Sequence, residues 1–123
     1  MAFVLKQSDS YSWPVTLIIP VDGGRREKHT FDAEFKRLPQ TRINEIVRQA
    51  KGISEGNSDE SVMLEDQSAC AEILVGWSNV IDDGGEQIPF SAKALNQLLE
   101  LPTIAAQIIR AWSESLEVAK RKN

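Results

Sequence analysis

The chain has little of what most protein chemistry is built from. Its 123 residues include one cysteine, Cys70, and one histidine, His29. A lone cysteine excludes an internal disulfide and fits a reducing compartment. Its neighbours Ala69 and Ala71 mark Cys70 as a small core residue rather than a reactive thiol. His29 has no second histidine, cysteine pair or spaced carboxylates with which to form a ligand set, and reads as a solvent-facing strand residue. Long apolar runs are missing too. The longest, residues 15–21, is interrupted by Thr16 and Pro20 and falls far short of the roughly 20 residues that span a bilayer. The opening "MAFVLKQSDS" lacks the apolar length and small-residue cleavage site of a secretory signal. The expectation is a cytoplasmic protein with no membrane partner.

Basic residues are absent from a third of the chain. Residues 52–92 carry nine Asp/Glu and no Lys/Arg, against six and nine in residues 1–51 and three and five in residues 93–123. A net charge of −4 argues against general nucleic-acid binding, which needs a basic face to displace counterions. The acidic middle is either a solvated surface that keeps the protein in solution or half of an electrostatic match, with another copy or a basic partner.

Periodicity supplies the fold class. Val15, Leu17, Ile19 and Val21 alternate as in a strand, with Ile18 breaking the pattern, and Asp22-Gly23-Gly24 supplies a hairpin turn. Phe31, Ala33 and Phe35 alternate with Thr30, Asp32, Glu34 and Lys36 on the return strand, so one face is apolar and the other polar. Two strands are marginal alone, so helices must cover the apolar face. Val4 and Leu5 offer a short third strand. A helix opens at Pro39, with Ile43, Ile46, Val47 and Ala50 on one side, and stops at "GISEGNSD", a linker by composition. A second helix runs from about Ser58 to Gly76, with Val62, Ala69, Ile73 and Trp77 near one face. The spacing thus predicts one α+β domain over residues 1–123: a hairpin at about 12–36 packed against about four helices within 39–121.

The most unusual stretch is "WSNVIDDGGEQIPFSAKAL", residues 77–95. Asp82, Asp83 and Glu86 lack the alternating ligand spacing of a calcium loop. The Gly-Gly pairs at 23–24 and 84–85 lack the context of a phosphate cradle. No nucleophile sits with a base and an orienting group. The chain therefore reads as no enzyme, with no metal and no cofactor. The stretch reads instead as a joint between two helices, with Trp77 and Phe90 as core anchors. Ser91 is a good N-cap, and Phe90 and Leu95 are placed to form a hydrophobic staple. Leu98, Leu99 and Leu101 continue the core before Pro102 breaks the chain. A last helix from about Thr103 toward Lys120 carries Ile104, Ile108, Trp112 and Leu116 in an i, i+4 series, with Ile109 beside it. Ile109, Trp112 and Leu116 are the candidate partner contacts, Trp112 standing open between core residue and interface anchor.

In order, the hairpin, "FKRLPQTRINEIV", the acidic linker and "ILVGWSNVIDDGGEQIPFSAKALNQLLELPTIAAQIIRAW" resemble the tail assembly chaperones of long-tailed, non-contractile bacteriophages. Val75, Gly76, Trp77, the Asp/Gly turn at 82–85, Pro89, Phe90, Ser91, Leu98, Leu99, Pro102, Ala111 and Trp112 carry the likeness, which covers roughly residues 12–115; Asn79 and Ile81 depart from it. The resemblance implies a non-enzymatic chaperone of the host cytoplasm that binds the tape measure protein, recruits tail tube subunits and is absent from the mature virion. It also implies a longer product of programmed ribosomal frameshifting whose added domain contacts the tail tube protein. Self-association is a further expectation from the charge pattern. The rival readings are a small DNA-binding regulator using the last two helices, for which Arg110 is the only basic residue between Lys93 and Lys120, and a head–tail connector subunit.

Overall fold

The alternating N-terminal residues form the hairpin that their period requires. The computed structural model describes residues 3, 5, 6, 8–54 and 60–117, with side chains at 3, 5, 6, 8–48 and 67–117. Strand β1 (Ser10–Val21) pairs antiparallel with β2 (Arg25–Lys36), placing Val15 opposite Phe31 and Trp13 opposite Ala33. The turn at Asp22–Gly24 needs left-handed backbone, which Gly23 (φ 84°) and Gly24 (φ 74°) adopt without a Cβ clash. Val15, Leu17, Phe31, Ala33 and Phe35 are buried on one face. The opposite face is polar, with the Thr16 and Thr30 hydroxyls hydrogen-bonded across the strands at 2.9 Å. The sheet therefore has one covered and one wet side.

The third strand is not where the sequence placed it. Val4 lies outside the described residues, and Leu5 lies in a bend. The sheet order is β1-β2-β3, with β3 (Leu74–Ser78) antiparallel to β2. Gly76 and Trp77, read above as the end of the second helix, thus belong to a strand, and that helix, α2 (Glu60–Ile73), stops earlier. The "LVGWS" run combines a β-branched residue, an aromatic and a helix-weakening glycine, and the free edge of β2 satisfies its backbone. Gly76 sits opposite Glu34, where an added Cβ would meet a Glu34 carboxylate oxygen at 2.7 Å. Between Glu34 and Phe35 the register shifts, leaving Val75 as the extra residue of a β-bulge.

Helix α1 (Gln40–Ser54) starts from the Pro39 carbonyl, which accepts from the Arg42 and Ile43 amides. It continues through Gly52, so residues 52–54 are helix rather than linker. The remaining linker residues, 55–59, and the expected start of the second helix at Ser58 lie outside the described residues. Helix α3 (Ala92–Leu99) is capped as expected: the Ser91 Oγ accepts from the Ala94 amide at 3.1 Å. Pro102 breaks the chain before α4 (Ile104–Ser115), and Thr103 between them has φ 67°. The last helix ends at Ser115, with Leu116 as its C-cap, and the stretch toward Lys120 beyond 117 lies outside the described residues.

Helix α4 packs on both α2 and β1. Its Ile104, Ile108 and Trp112 are fully buried in one cluster with Val15, Phe35, Ile46, Cys70, Ile73 and Leu74. Cys70 takes the small core position expected of it, its thiol donating to the Ala105 carbonyl at 3.2 Å. No buried residue among those described is polar or charged, so apolar burial dominates the core. No helix among the described residues is long and apolar enough to cross a membrane.

Candidate protein-binding site

The stretch between β3 and α3 is built from its own polar groups and anchored by one tryptophan. Asp82 accepts from the Gly84 and Glu86 amides through one carboxylate oxygen, at 2.9 and 3.0 Å, while its own amide donates to the Glu86 carbonyl. Gly85 supplies the left-handed residue, with φ 84°. Ile81 bridges Gln87, and the Ile88 amide donates to the Val80 carbonyl at 2.7 Å. Asn79, also left-handed at φ 68°, donates its side-chain amide to the Asp32 carboxylate at 2.6 Å, fixing the exit from β3. Asp82 is therefore occupied by turn chemistry. No group of three His, Cys, Asp or Glu placed to hold a metal ion occurs among the described residues.

Trp77 holds this stretch to the sheet. Its ring meets Phe31 edge-on at 6.4 Å and Phe90 at 4.9 Å, and its Nε1–H donates to the Ile88 carbonyl at 2.8 Å. The joint therefore links a strand to a helix, correcting the expectation of two helices joined. Phe90 is half-buried against the core, and Pro89 precedes it on the surface. Phe90 and Leu95, the expected staple pair, line one groove.

That groove is an open apolar concavity among the described residues. It has a volume of about 410 Å³ and lies between the end of α2 (Ala71), β3 (Leu74, Val75), Phe90 and the start of α3 (Ala92, Leu95). Val75, displaced by the bulge, is 40% exposed on its wall. The sequence singled out Val75 and Phe90 but not the groove, because Leu74 and Val75 join Leu95 only once the strand is paired.

The candidate contacts on α4 divide. Trp112 is 1% exposed and Ile109 is 5% exposed, so both pack in the core, on the helix that meets β1 and α2. Leu116, 38% exposed, retains accessible apolar surface. Leu101, expected in the core, is half exposed because the chain has already left α3.

Two polar devices escaped the sequence reading. The first is Gln107, whose side-chain amide accepts from the Ile18 amide at 2.7 Å and donates to the Ile18 carbonyl at 3.0 Å. These bonds occupy the outer edge of β1, where Pro14 and Pro20, in the same alternation as Ile18, bring no N–H. The second is the Arg42 guanidinium, which grips both oxygens of Glu72 at 2.7–3.1 Å and also Glu45 at 2.8 Å, joining α1 to α2. The hydrogen bonds to Glu72 and then Glu45 raise the Arg42 pKa, and the bond from Arg42 lowers that of Glu72. His29 lies exposed on β2, 3.2 Å from Glu27. The Gln107–Ile18 and Arg42–Glu72 contacts have no local sequence signal, since each spans 30 or more positions; of the Arg42 pairs only that with Glu45, at i, i+3, is local.

No family model, curated protein or solved structure matches the chain, so its functional reading rests on these residues.

Proposed function

We propose that this chain is a tail-assembly chaperone: it binds the tape measure protein during tail morphogenesis in the host cytoplasm, recruits tail tube subunits to it, and leaves before the particle is finished. The observation that carries the reading is the open apolar groove between β3 and α3. Its Leu74, Val75, Phe90 and Leu95 walls fall within residues 73–112, the segment that bears the resemblance. A groove of this kind receives the apolar side of a partner segment, as grooves do in helix-in-groove recognition. Covering the apolar side of another protein is a task for binding surfaces rather than for chemistry. The tube protein is met mainly through the longer frameshifted product.

Co-expression with the tape measure protein of the same genome tests this directly. A complex that survives size-exclusion chromatography, together with absence of the chain from purified particles by mass spectrometry, is the expected result. Presence in finished particles would instead identify a connector subunit. Absence of a complex combined with tight duplex binding would identify a DNA-binding regulator.

A further inference from the structure

The outer edge of β1 is shut on either side of one residue. Ile18 turns its N–H and C=O outward to the Gln107 side chain. Backbone direction alternates along a strand of an antiparallel pair, so Pro14, Thr16 and Pro20 face the same way as Ile18. The prolines lack an N–H and Ile18 is plugged, which bars a continuous added strand. Thr16 is different: β1 has no strand on this side, and no described residue bonds the Thr16 N–H or C=O. A cleft of about 240 Å³ opens there, between Trp13, Thr16 and Ile18 of the strand and Gln107, Arg110 and Glu114 of α4. Arg110 and Glu114 are exposed, and neither belongs to an ion pair among the described residues.

We infer that this cleft captures the extended C-terminal end of a partner protein, with a basic side chain two residues before the terminus. A strand added parallel to β1 bonds on both sides of a single residue: the Thr16 N–H donates to one peptide carbonyl, and the Thr16 C=O accepts from the amide two residues further on. Nothing is asked of Pro14. Beyond that second amide the peptide meets the Gln107 side chain on Ile18, so a chain that stops there fits and one that continues does not. Charge sets the direction. Helix α4 runs against β1, since Gln107 meets Ile18 and, two turns on, the Ser115 hydroxyl meets the Tyr11 hydroxyl at 2.8 Å. Arg110 therefore lies toward the Ile18 end of the cleft and Glu114 toward the other end. A terminal carboxylate at the Ile18 end faces the Arg110 guanidinium, a charge-assisted pairing. Four residues of helix separate Arg110 from Glu114, about 6 Å, and two residues of strand span about the same distance. A basic side chain two positions before the terminus thus falls beside Glu114. The cleft shares no residue with the groove between β3 and α3, so this binding and capture of the tape measure protein are separate events.

Fluorescence anisotropy on the full chain tests the inference. The probe is a dye-labelled hexapeptide of alternating valine and threonine, with lysine two positions before a free C-terminus, and the comparison is the same peptide amidated. The free acid should bind about tenfold more tightly than the amide. Arg110→Gln, at an exposed position, should keep the circular dichroism of the parent and abolish that preference. Glu114→Gln should keep it and lose only the preference for lysine over glutamine in the peptide. Hydrogen exchange at the Thr16 amide should slow in the complex. Equal affinity for acid and amide, no binding up to millimolar peptide, or unchanged Thr16 exchange in the complex would overturn the inference. Binding that appears only after residues 118–123 are removed would give the cleft to the chain's own tail and overturn the partner assignment as well.

Discussion

The Trp77 indole donates to the Ile88 carbonyl at 2.8 Å, so this hydrogen bond and the edge-on contact with Phe90 tie β3 to the far limb of the acidic turn, while a second edge-on contact seats the ring on Phe31 of β2. Trp77→Phe retains much of the packing and leaves the Ile88 carbonyl without that donor. It should cost about 0.5–1.5 kcal/mol in chemical unfolding. Amide exchange in the 80–88 stretch should accelerate while the β1–β2 ladder keeps its protection. Uniform loss of protection across both regions would show that Trp77 supports the whole core and has no special hold on the turn.

Much of this arrangement was legible in the sequence, and the boundary between legible and hidden is physical. Ser91, Phe90 and Pro102 act on neighbours within a few residues, so local chemistry announced the start of α3 and the break before α4. Hairpin periodicity likewise needs only adjacent residues. By contrast, periodicity carries the second helix on to about Gly76, because Leu74 and Trp77 continue its apolar face; only the edge of β2, some forty positions earlier, decides that "LVGWS" is a strand. Trp112 and Ile109 could not be assigned to core or partner from periodicity, which marks a face as apolar without saying what covers it. Gln107 and Arg42 look like ordinary surface residues until the tertiary fold brings Ile18 and Glu72 to them.

The Gln107 clamp makes the β1 edge a test of protected strand ends. Gln107→Ala removes both bonds to Ile18 and exposes an N–H and a C=O on that edge. Since Ile18 is exposed, water can replace the lost partners, and the cost to stability should stay near 1 kcal/mol. The larger effect should be on solubility: an opened edge invites strand addition, so light scattering on storage should rise. A variant as soluble as the parent, with unchanged exchange at the Ile18 amide, would show that the prolines alone protect the edge.

The Arg42–Glu72 pair gives stability a defined pH dependence. Hydrogen bonding to Arg42 holds the Glu72 carboxyl below its ordinary range, so the folded state binds the proton less readily than the unfolded chain. Its contribution is therefore fully present above the unfolded carboxyl value of about 4.3 and is lost as pH falls through the lower folded value. Both side chains are about one-third exposed, at 34% and 33%, and solvent screening limits the pair to about 1 kcal/mol or less. Glu72→Gln should lower the melting temperature at pH 7 and converge with the parent as the solution is acidified. A difference that persists at acid pH would assign the loss to the packing of α1 on α2.

Core and partner surface should separate on mutation. Trp112 is fully buried with Ile104 and Ile108, so Trp112→Ala leaves a large cavity and should cost about 3–5 kcal/mol, enough to unfold much of a small domain. Its circular dichroism should show that loss before any binding assay is read. Val75 and Leu116 are exposed at 40% and 38%, and Val75→Lys or Leu116→Lys should leave folding within about 0.5 kcal/mol of the parent. The groove reading then makes an asymmetric forecast. Val75→Lys puts a charge on the groove wall and should abolish capture of the tape measure protein, because an unpaired charge there must be desolvated when the partner binds. Leu116→Lys, at the C-terminal end of α4 and outside the groove lining, should bind almost normally. The reverse pattern, with capture lost for Leu116→Lys and kept for Val75→Lys, would move the partner surface to the end of α4.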